Sequence, residues 1–110
     1  MLKIKLMKEI TVQELQKMKE NKEDFQLIDV RESFEYDLSN LGGENIPLAG
    51  ILLEVDKIAK DKPVILQCRS GKRSAQAMML LQQEGFDNLS NLKGGIVAWQ
   101  QEIDPSMEVY

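Results

Sequence analysis

The sequence predicts an α/β fold with a mainly parallel sheet, because strand-like and helix-like segments alternate along the chain. Short apolar runs recur between segments whose apolar residues follow helical spacing, and turn residues separate them. The composition agrees, since 110 residues with 43% hydrophobic and 29% charged residues suffice for one domain with its own core. We therefore expect a single domain over residues 1–110, with its site beyond the carboxyl ends of the strands.

The N-terminal third is expected to supply strands and one capped helix. Residues 2–6 alternate between apolar side chains and lysine, and residues 8–10 form a further short strand candidate. Thr11 and Glu14 have the spacing of a capping box, which predicts a helix over residues 12–20. The run at 25–30 is largely apolar, as expected for a strand buried on both faces.

The middle of the chain predicts shorter elements. Ser33 is placed to cap a short helix at 34–38, and a loop follows over residues 39–44. Residues 45–48 read as an extended segment, because the residue before Pro47 is biased away from helix. Apolar residues at helical spacing then predict a helix over 50–60.

The C-terminal part repeats the strand–helix alternation. An apolar strand at 64–67 is followed by a helix at 74–84, with Ser74 as a candidate N-cap and Gly85 as its C-terminal glycine. A last strand is expected at 88–92 and a last helix at 96–101. The tail around Pro105 is expected to be irregular.

Cys68 is the only cysteine, and it lies between the strand at 64–67 and the following helix. Arg69, Lys72 and Arg73 place three positive charges within the next five residues, and Gly71 permits a tight turn. A free thiol has a pKa of about 8.5, so only about 3% is thiolate at pH 7. Loop N–H groups, a helix N-terminus and nearby cations all favour the anion. We therefore predict that Cys68 is a thiolate nucleophile rather than an inert buried thiol.

Composition excludes several other chemistries. The chain has no histidine, which rules out a Cys-His dyad, a Ser-His-Asp triad and a histidine metal site. One cysteine rules out a CxxC redox pair and a cysteine-rich zinc site, so we expect no metal. The net charge of −4 argues against nucleic acid as a partner, and the local cationic cluster suits a small anionic ligand. We expect no membrane partner and a reducing, cytoplasmic setting, since nothing resembles a signal peptide or a spanning segment.

Five motifs together resemble the rhodanese family of sulfurtransferases, in the order and spacing typical of that family. They are Leu27-Ile28-Asp29-Val30-Arg31-Glu32, Glu35-Tyr36, Asn45-Ile46-Pro47-Leu48, Cys68-Arg69-Ser70-Gly71-Lys72-Arg73-Ser74, and Leu92-Lys93-Gly94-Gly95 with Ala98-Trp99. The resemblance covers about residues 9–101 and is strongest at the cysteine loop. The chain departs from the family at Ser39-Asn40-Leu41-Gly42-Gly43-Glu44, where many members have a histidine.

The resemblance implies a five-stranded sheet flanked by helices on both faces. It also implies that Cys68 takes a sulfane sulfur from thiosulfate or a similar small anionic donor and carries it as a persulfide. Cyanide, a thiol or a protein would then accept the sulfur. No cofactor is implied, and no general base is needed if the thiolate is already formed.

The resemblance also assigns roles around the nucleophile. The loop residues that would bind the substrate anion or the bound sulfur are Arg69, Ser70, Gly71, Lys72, Arg73 and Ser74. Arg73 has a second possible role, which is to pin the loop through a carboxylate such as Glu35 or Asp29. Asp29, Arg31 and Glu35 are expected to support the site rather than to react. Trp99, Met78 and Met79 are expected to pack in the core.

Two other functions fit part of the pattern. Rhodanese-like phosphatases and arsenate reductases use a Cys-x5-Arg loop, in which the extra residue makes room for a tetrahedral oxyanion. Here Arg73 lies one position closer, as Cys-x4-Arg, which better matches a single sulfur atom. A non-catalytic binding module is the other alternative, although such modules usually lack the cysteine. A variant of it is a sulfur carrier that delivers to a dedicated protein partner, and the sequence does not distinguish this carrier from a free sulfurtransferase.

Overall fold

A computed structural model describes residues 7–110 and shows a five-stranded sheet with helices on both faces. The strands are β1 (Glu9–Ile10), β2 (Gln26–Asp29), β3 (Glu44–Asn45), β4 (Val64–Gln67) and β5 (Leu89–Leu92). Their spatial order is β1-β5-β4-β2-β3, and each of these neighbouring pairs is parallel. The predicted fold class is confirmed, and the strand predicted at 2–6 lies outside the described residues.

Helical segments cover the two faces of this sheet. They are α1 (Val12–Glu20), α2 (Ser33–Leu38), a 3₁₀ segment (Leu48–Lys57), α3 (Lys72–Gln83) and α4 (Gly95–Glu102). None of the helices within residues 7–110 has the length and apolar character needed to cross a membrane.

The core consists of two apolar clusters, one on each face of the sheet. Leu66 of β4 packs with the 3₁₀ segment and α3, whereas the preceding Ile65 packs with α1 and α4. Adjacent strand residues point to opposite faces, so both must be apolar when both faces are covered. This explains the unbroken apolar run that the sequence shows at 64–66.

Two local predictions for helix ends are confirmed. At the start of α1, the Glu14 N–H donates to Thr11 Oγ1 over 3.1 Å, and the Thr11 N–H donates to Glu14 Oε1 over 3.2 Å. This is the capping box that the spacing predicted. Gly85 follows the end of α3 with a φ of 96°, which only glycine adopts readily.

The helix predicted at 50–60 is wrong, because a 3₁₀ segment with non-helical backbone at Glu54 occupies Leu48–Lys57. Helical spacing fixed the buried face, but Gly50 and several β-branched residues weaken the α-helical hydrogen-bond pattern. Glu44, assigned to a loop, pairs with Ile28 as part of β3. A two-residue edge strand is too short to produce a periodic signal.

Both serine caps were misplaced. α3 begins at Lys72 after Gly71, so Ser74 lies inside its first turn and is buried rather than capping. α2 includes Ser33, and Glu32 precedes it as the N-cap. Met78 is in the core as expected, but Met79 is 55% exposed, because consecutive helix residues point in different directions.

Candidate active site

Cys68 lies at the carboxyl edge of the sheet, immediately after β4. Gln67, its predecessor, pairs in register with Asp29 at the end of β2, so the two strand-end motifs of the sequence lie side by side. Cys68 is only 1% exposed. Its position is the one expected for a site in a parallel α/β sheet.

The Cys68 sulfur is surrounded by hydrogen-bond donors from its own loop. The Gly71 N–H donates to Sγ over 3.1 Å, and Ser74 Oγ lies 3.3 Å from the same sulfur. The N–H groups of Ser70 and Ser74 also point to it. Gly71 has a φ of 102°, a left-handed conformation that turns the chain tightly around the sulfur. We call residues 68–74 the sulfur loop.

Opposing influences act on the ionisation of the thiol. Burial is the largest and raises the pKa of Cys68, but the hydrogen bonds from Ser74, Gly71 and Ser70 together outweigh it. The net pKa of Cys68 is therefore lowered from the ordinary thiol value. Hydrogen bonds from the loop are therefore the main stabilisation of the Cys68 thiolate. From the sequence, the neighbouring cations were expected to contribute to this stabilisation as well.

The N-terminus of α4 holds the outer side of the sulfur loop. The Ile96 N–H donates to the Cys68 carbonyl over 2.9 Å, and the Val97 N–H donates to the Arg69 carbonyl over 3.1 Å. In a planar trans peptide the C=O and the next N–H point in opposite directions. Because the Arg69 carbonyl is turned towards α4, the Ser70 N–H is turned towards the sulfur.

Gly95 makes this close approach possible. A Cβ at this position would lie 2.4 Å from both the Cys68 and the Arg69 carbonyl oxygens. The Cys68 carbonyl accepts a second bond from Gln67 Nε2 over 2.6 Å. The Gly-Gly motif thus has a geometric function, which is to bring the start of α4 against the sulfur loop.

A buried asparagine in β5 completes the inner side of the site. Asn91 Oδ1 lies 2.5 Å from Ser74 Oγ, and Asn91 Nδ2 donates to the Gly71 carbonyl over 3.1 Å. Asn91, Gln67 and Gly95 were not predicted as site residues from the sequence. For Asn91 a signal existed, since a polar residue at the carboxyl end of a buried strand requires a hydrogen-bond partner.

The three cations of the sulfur loop have different surroundings. Arg73 makes a bidentate pair with Glu35 of α2, with nitrogen–oxygen distances of 2.7 and 2.9 Å. Arg69 is exposed, and its Nε donates to the Tyr110 carbonyl. Lys72 is exposed and makes no ion pair within residues 7–110.

The bond from Arg73 is the main reason that the pKa of Glu35 is lowered, and burial opposes it. The Glu32 N–H also donates to Glu35 over 2.8 Å and favours the carboxylate. The Arg73–Glu35 pair therefore joins the first turn of α3 to α2 and fixes the sulfur loop from a second side.

Asp29 and Arg31 form a separate buried ion pair with a 2.7 Å contact. Arg31 also donates to the Ser39 carbonyl over 2.8 Å, and Asn45 Nδ2 donates to both the Asp29 and Arg31 carbonyls. These bonds organise the end of β2 and hold the start of the 39–44 segment against it. Their partners lie outside the sulfur loop, which fits a supporting role.

The fold and the site define an α/β protein in which one buried cysteine lies in a cradle of backbone N–H groups. Residues 11–102 match the family described as Rhodanese-like domain, and the chain belongs to that family. The family and its sulfurtransferase-named relatives support sulfur transfer as the broad class of activity.

Three similar proteins illustrate the range of the family. A sulfurtransferase from Allochromatium vinosum is 35% identical over 95 residues, covering 86% of this chain and 89% of that protein. The probable adenylyltransferase/sulfurtransferase MoeZ of Mycobacterium tuberculosis is 33% identical over 104 residues, or 92% of this chain, which spans only 26% of MoeZ. The crystal structure of a rhodanese-like domain protein from Staphylococcus aureus has a TM-score of 0.80 at 28% identity, covering 94% and 99% of the two chains.

The packing of Gly95 against the sulfur loop predicts a specific effect of Gly95→Ala. The added methyl would displace the Cys68 and Arg69 carbonyls, so we expect a lower free energy of unfolding and slower alkylation of Cys68 by iodoacetamide.

Gly85→Ala is the matched control, because Gly85 also has a positive φ but its Cβ would meet nothing within 4 Å. We expect Gly85→Ala to cost about 1–2 kcal/mol and Gly95→Ala about 1–3 kcal/mol more. Equal stability losses and unchanged alkylation in both variants would contradict the role of Gly95.

The lowered pKa of Glu35 predicts a pH-dependent contribution to stability. A lowered folded-state pKa stabilises the fold above the unfolded value of about 4.3, and this contribution is lost as the pH falls further. Urea unfolding of Glu35→Gln should show a loss of about 1–3 kcal/mol at pH 7. The difference from the wild type should narrow below about pH 4. Glu23→Gln is the control, because it changes an exposed carboxylate and should show no such pattern. If the free energy of unfolding of Glu35→Gln differs from that of the wild type by the same amount at all pH values, the linkage is refuted.

Proposed function

We propose that this protein is a sulfurtransferase that carries a sulfane sulfur on Cys68. The observation that carries the proposal is the arrangement of N–H groups from Ser70, Gly71 and Ser74 around a buried sulfur. Backbone donors fixed in this way stabilise negative charge on sulfur without a base or a metal. Membership of the rhodanese family supports the same chemistry.

Loading with thiosulfate as donor is a balanced displacement. The Cys68 thiolate attacks the sulfane sulfur and forms a new S–S bond. The S–S bond of thiosulfate breaks, and its electron pair leaves with sulfite. The enzyme then holds a persulfide whose negative charge lies on the outer sulfur, so total charge is conserved and no oxidant is needed.

Discharge reverses the roles of the two sulfurs. Cyanide or an acceptor thiolate attacks the outer sulfur, the persulfide S–S bond breaks, and its electron pair returns to Cys68. The products are thiocyanate or an acceptor persulfide, with the Cys68 thiolate regenerated. A protein thiol is chemically equivalent to a small thiol at this step.

The anionic donor requires attraction at the mouth of the sulfur loop. Lys72 is the favoured residue, because it is exposed at the start of α3 and makes no ion pair in the described part of the chain. Ser70 and Arg69 are also exposed beside it. Arg73 fits the role of pinning the loop better than that of binding the sulfur donor, because both of its terminal nitrogens donate hydrogen bonds to the Glu35 carboxylate.

The same geometry argues against the phosphatase alternative. The loop has the shorter Cys-x4-Arg spacing, and three N–H groups already converge on the cysteine sulfur. A binding module without catalysis would not need a thiol with a lowered pKa. Each alternative gives a different result in the experiment below.

Intact mass spectrometry after incubation with thiosulfate tests the proposal directly. We expect the wild type to gain one sulfur atom, to lose it on addition of cyanide, and to release thiocyanate. Cys68→Ser should gain none while keeping its circular dichroism spectrum and melting curve, because the seryl oxygen cannot carry sulfane sulfur. No gain by the folded wild type, with hydrolysis of an aryl phosphate instead, would favour a phosphatase. Absence of both activities would favour a partner-dependent sulfur carrier or a binding module.

Lys72→Ala is expected to raise the KM for thiosulfate several-fold with little change in kcat. An exposed charge close to a dianion contributes on the order of 1 kcal/mol. Lys17→Ala on α1 is the control, since Lys17 is also exposed and lies outside the sulfur loop. Steady-state kinetics with cyanide as acceptor would measure both variants at low and high salt. Equal KM values for the wild type and Lys72→Ala would remove Lys72 from the donor site.

A further inference from the structure

Cys68, Ser74 and Asn91 form a short chain of polar groups inside the protein. Ser74 is 0% exposed and Asn91 is 2% exposed, so water is largely excluded from both. Ser74 Oγ lies 2.5 Å from Asn91 Oδ1 and 3.3 Å from Cys68 Sγ. The hydrogen bond between Ser74 and Asn91 has no part in the proposed loading and discharge of sulfur.

These groups contain two acceptors for one donated proton. Asn91 Nδ2 donates to the Gly71 carbonyl, which can only accept, so the amide oxygen faces Ser74. The Ser74 hydroxyl has one proton to donate. Asn91 Oδ1 and Cys68 Sγ are both acceptors, and they therefore compete for the same proton.

We propose that Asn91 is a positioning residue that sets the direction of the Ser74 hydroxyl: the proton points to Asn91 when the Cys68 sulfur is neutral and to the sulfur when it is a thiolate. The inference rests on the proposed function, because it takes Cys68 to be the reacting sulfur. The step is a rotation about the Cβ–Oγ bond of Ser74. The proton stays on the same oxygen, and no covalent bond forms or breaks.

The charge on the sulfur decides the competition in each state. A thiolate is a charged acceptor, and hydrogen bonds to charged groups are the stronger ones. In the persulfide the negative charge lies on the outer sulfur, so the inner Cys68 sulfur becomes a weak, neutral acceptor. The hydroxyl then returns to Asn91 Oδ1, which keeps this buried oxygen hydrogen-bonded.

Asn91 therefore weakens the stabilisation of the thiolate, since its own hydrogen bond must be given up each time the thiolate forms. The charged groups on the sulfur loop and on the elements packed around Cys68 are the Arg73–Glu35 and Asp29–Arg31 pairs and the exposed side chains of Arg69 and Lys72. From β5 and the start of α4, the residues facing the site are uncharged. The experiment leaves all of these charged side chains unchanged.

The pH dependence of iodoacetamide alkylation tests the proposal, because the chain has a single cysteine and the reaction reports its thiolate. We expect Ser74→Ala to raise the midpoint by about one pH unit, since the thiolate loses a donor. Asn91→Leu should lower the midpoint by about half a unit, because the hydroxyl no longer has a competing acceptor. Asn91→Asp should raise it, since a carboxylate holds the proton more strongly and adds negative charge.

A merely structural role for Asn91 predicts a different pattern. Both Asn91 variants lose the bond to the Gly71 carbonyl, so loosening of the sulfur loop would shift both midpoints in the same direction. The double variant Ser74→Ala with Asn91→Leu should have the midpoint of Ser74→Ala alone. Circular dichroism would check folding, and Asn91→Ala replaces Asn91→Leu if leucine is not accommodated.

The proposal is overturned if removal of the amide leaves the midpoint unchanged or raises it. It is also overturned if the downward shift persists in the Ser74→Ala background. Alkylation needs no sulfur donor, so the result does not depend on whether thiosulfate loads the protein. Failure of this inference is therefore distinct from failure of the proposed function.

Discussion

Burial of an ionisable sulfur is the constraint on which the rest of this structure depends. An anion removed from water must obtain from the protein the hydrogen bonds that water would supply. Here the donors are backbone N–H groups of the sulfur loop and one hydroxyl, and together they offset the cost of burial. The loop cations therefore need not contact the sulfur directly. Arg73 fixes the loop to α2, and Lys72 faces solvent.

Much of the fold could be predicted because its signals are local. Apolar runs identified the central strands, and the Thr11–Glu14 spacing located the start of α1. The failures have physical causes as well. Helical spacing at 50–60 indicates a buried face but does not distinguish a 3₁₀ from an α-helical hydrogen-bond pattern, and β3 is too short to show alternation.

The site residues also differ in how far the local sequence predicts them. Cys68 was evident because a lone cysteine with three nearby cations is unusual, and its loop follows it directly in the sequence. Asn91 and Gly95 could not be assigned their contacts, because they meet the loop only through the parallel pairing of β5 with β4 and the docking of α4. Ser74 was placed both in the loop expected to bind the sulfur and at the N-cap of α3. Only the N-cap position is wrong, since the Ser74 hydroxyl bonds the sulfur and Asn91 inside the first turn of α3.

The contact between α4 and the carbonyls of the sulfur loop has a consequence for folding. Cys68 and Ile96 are far apart in sequence, so this contact is non-local and exists only once α4 has docked on the sulfur loop. A partly folded chain can contain β4 and α3 and still present the Ser70 N–H in the wrong direction. Local opening of α4 would likewise misalign the loop without unfolding the sheet. The reactivity of the single thiol is thus coupled to the completeness of the native state.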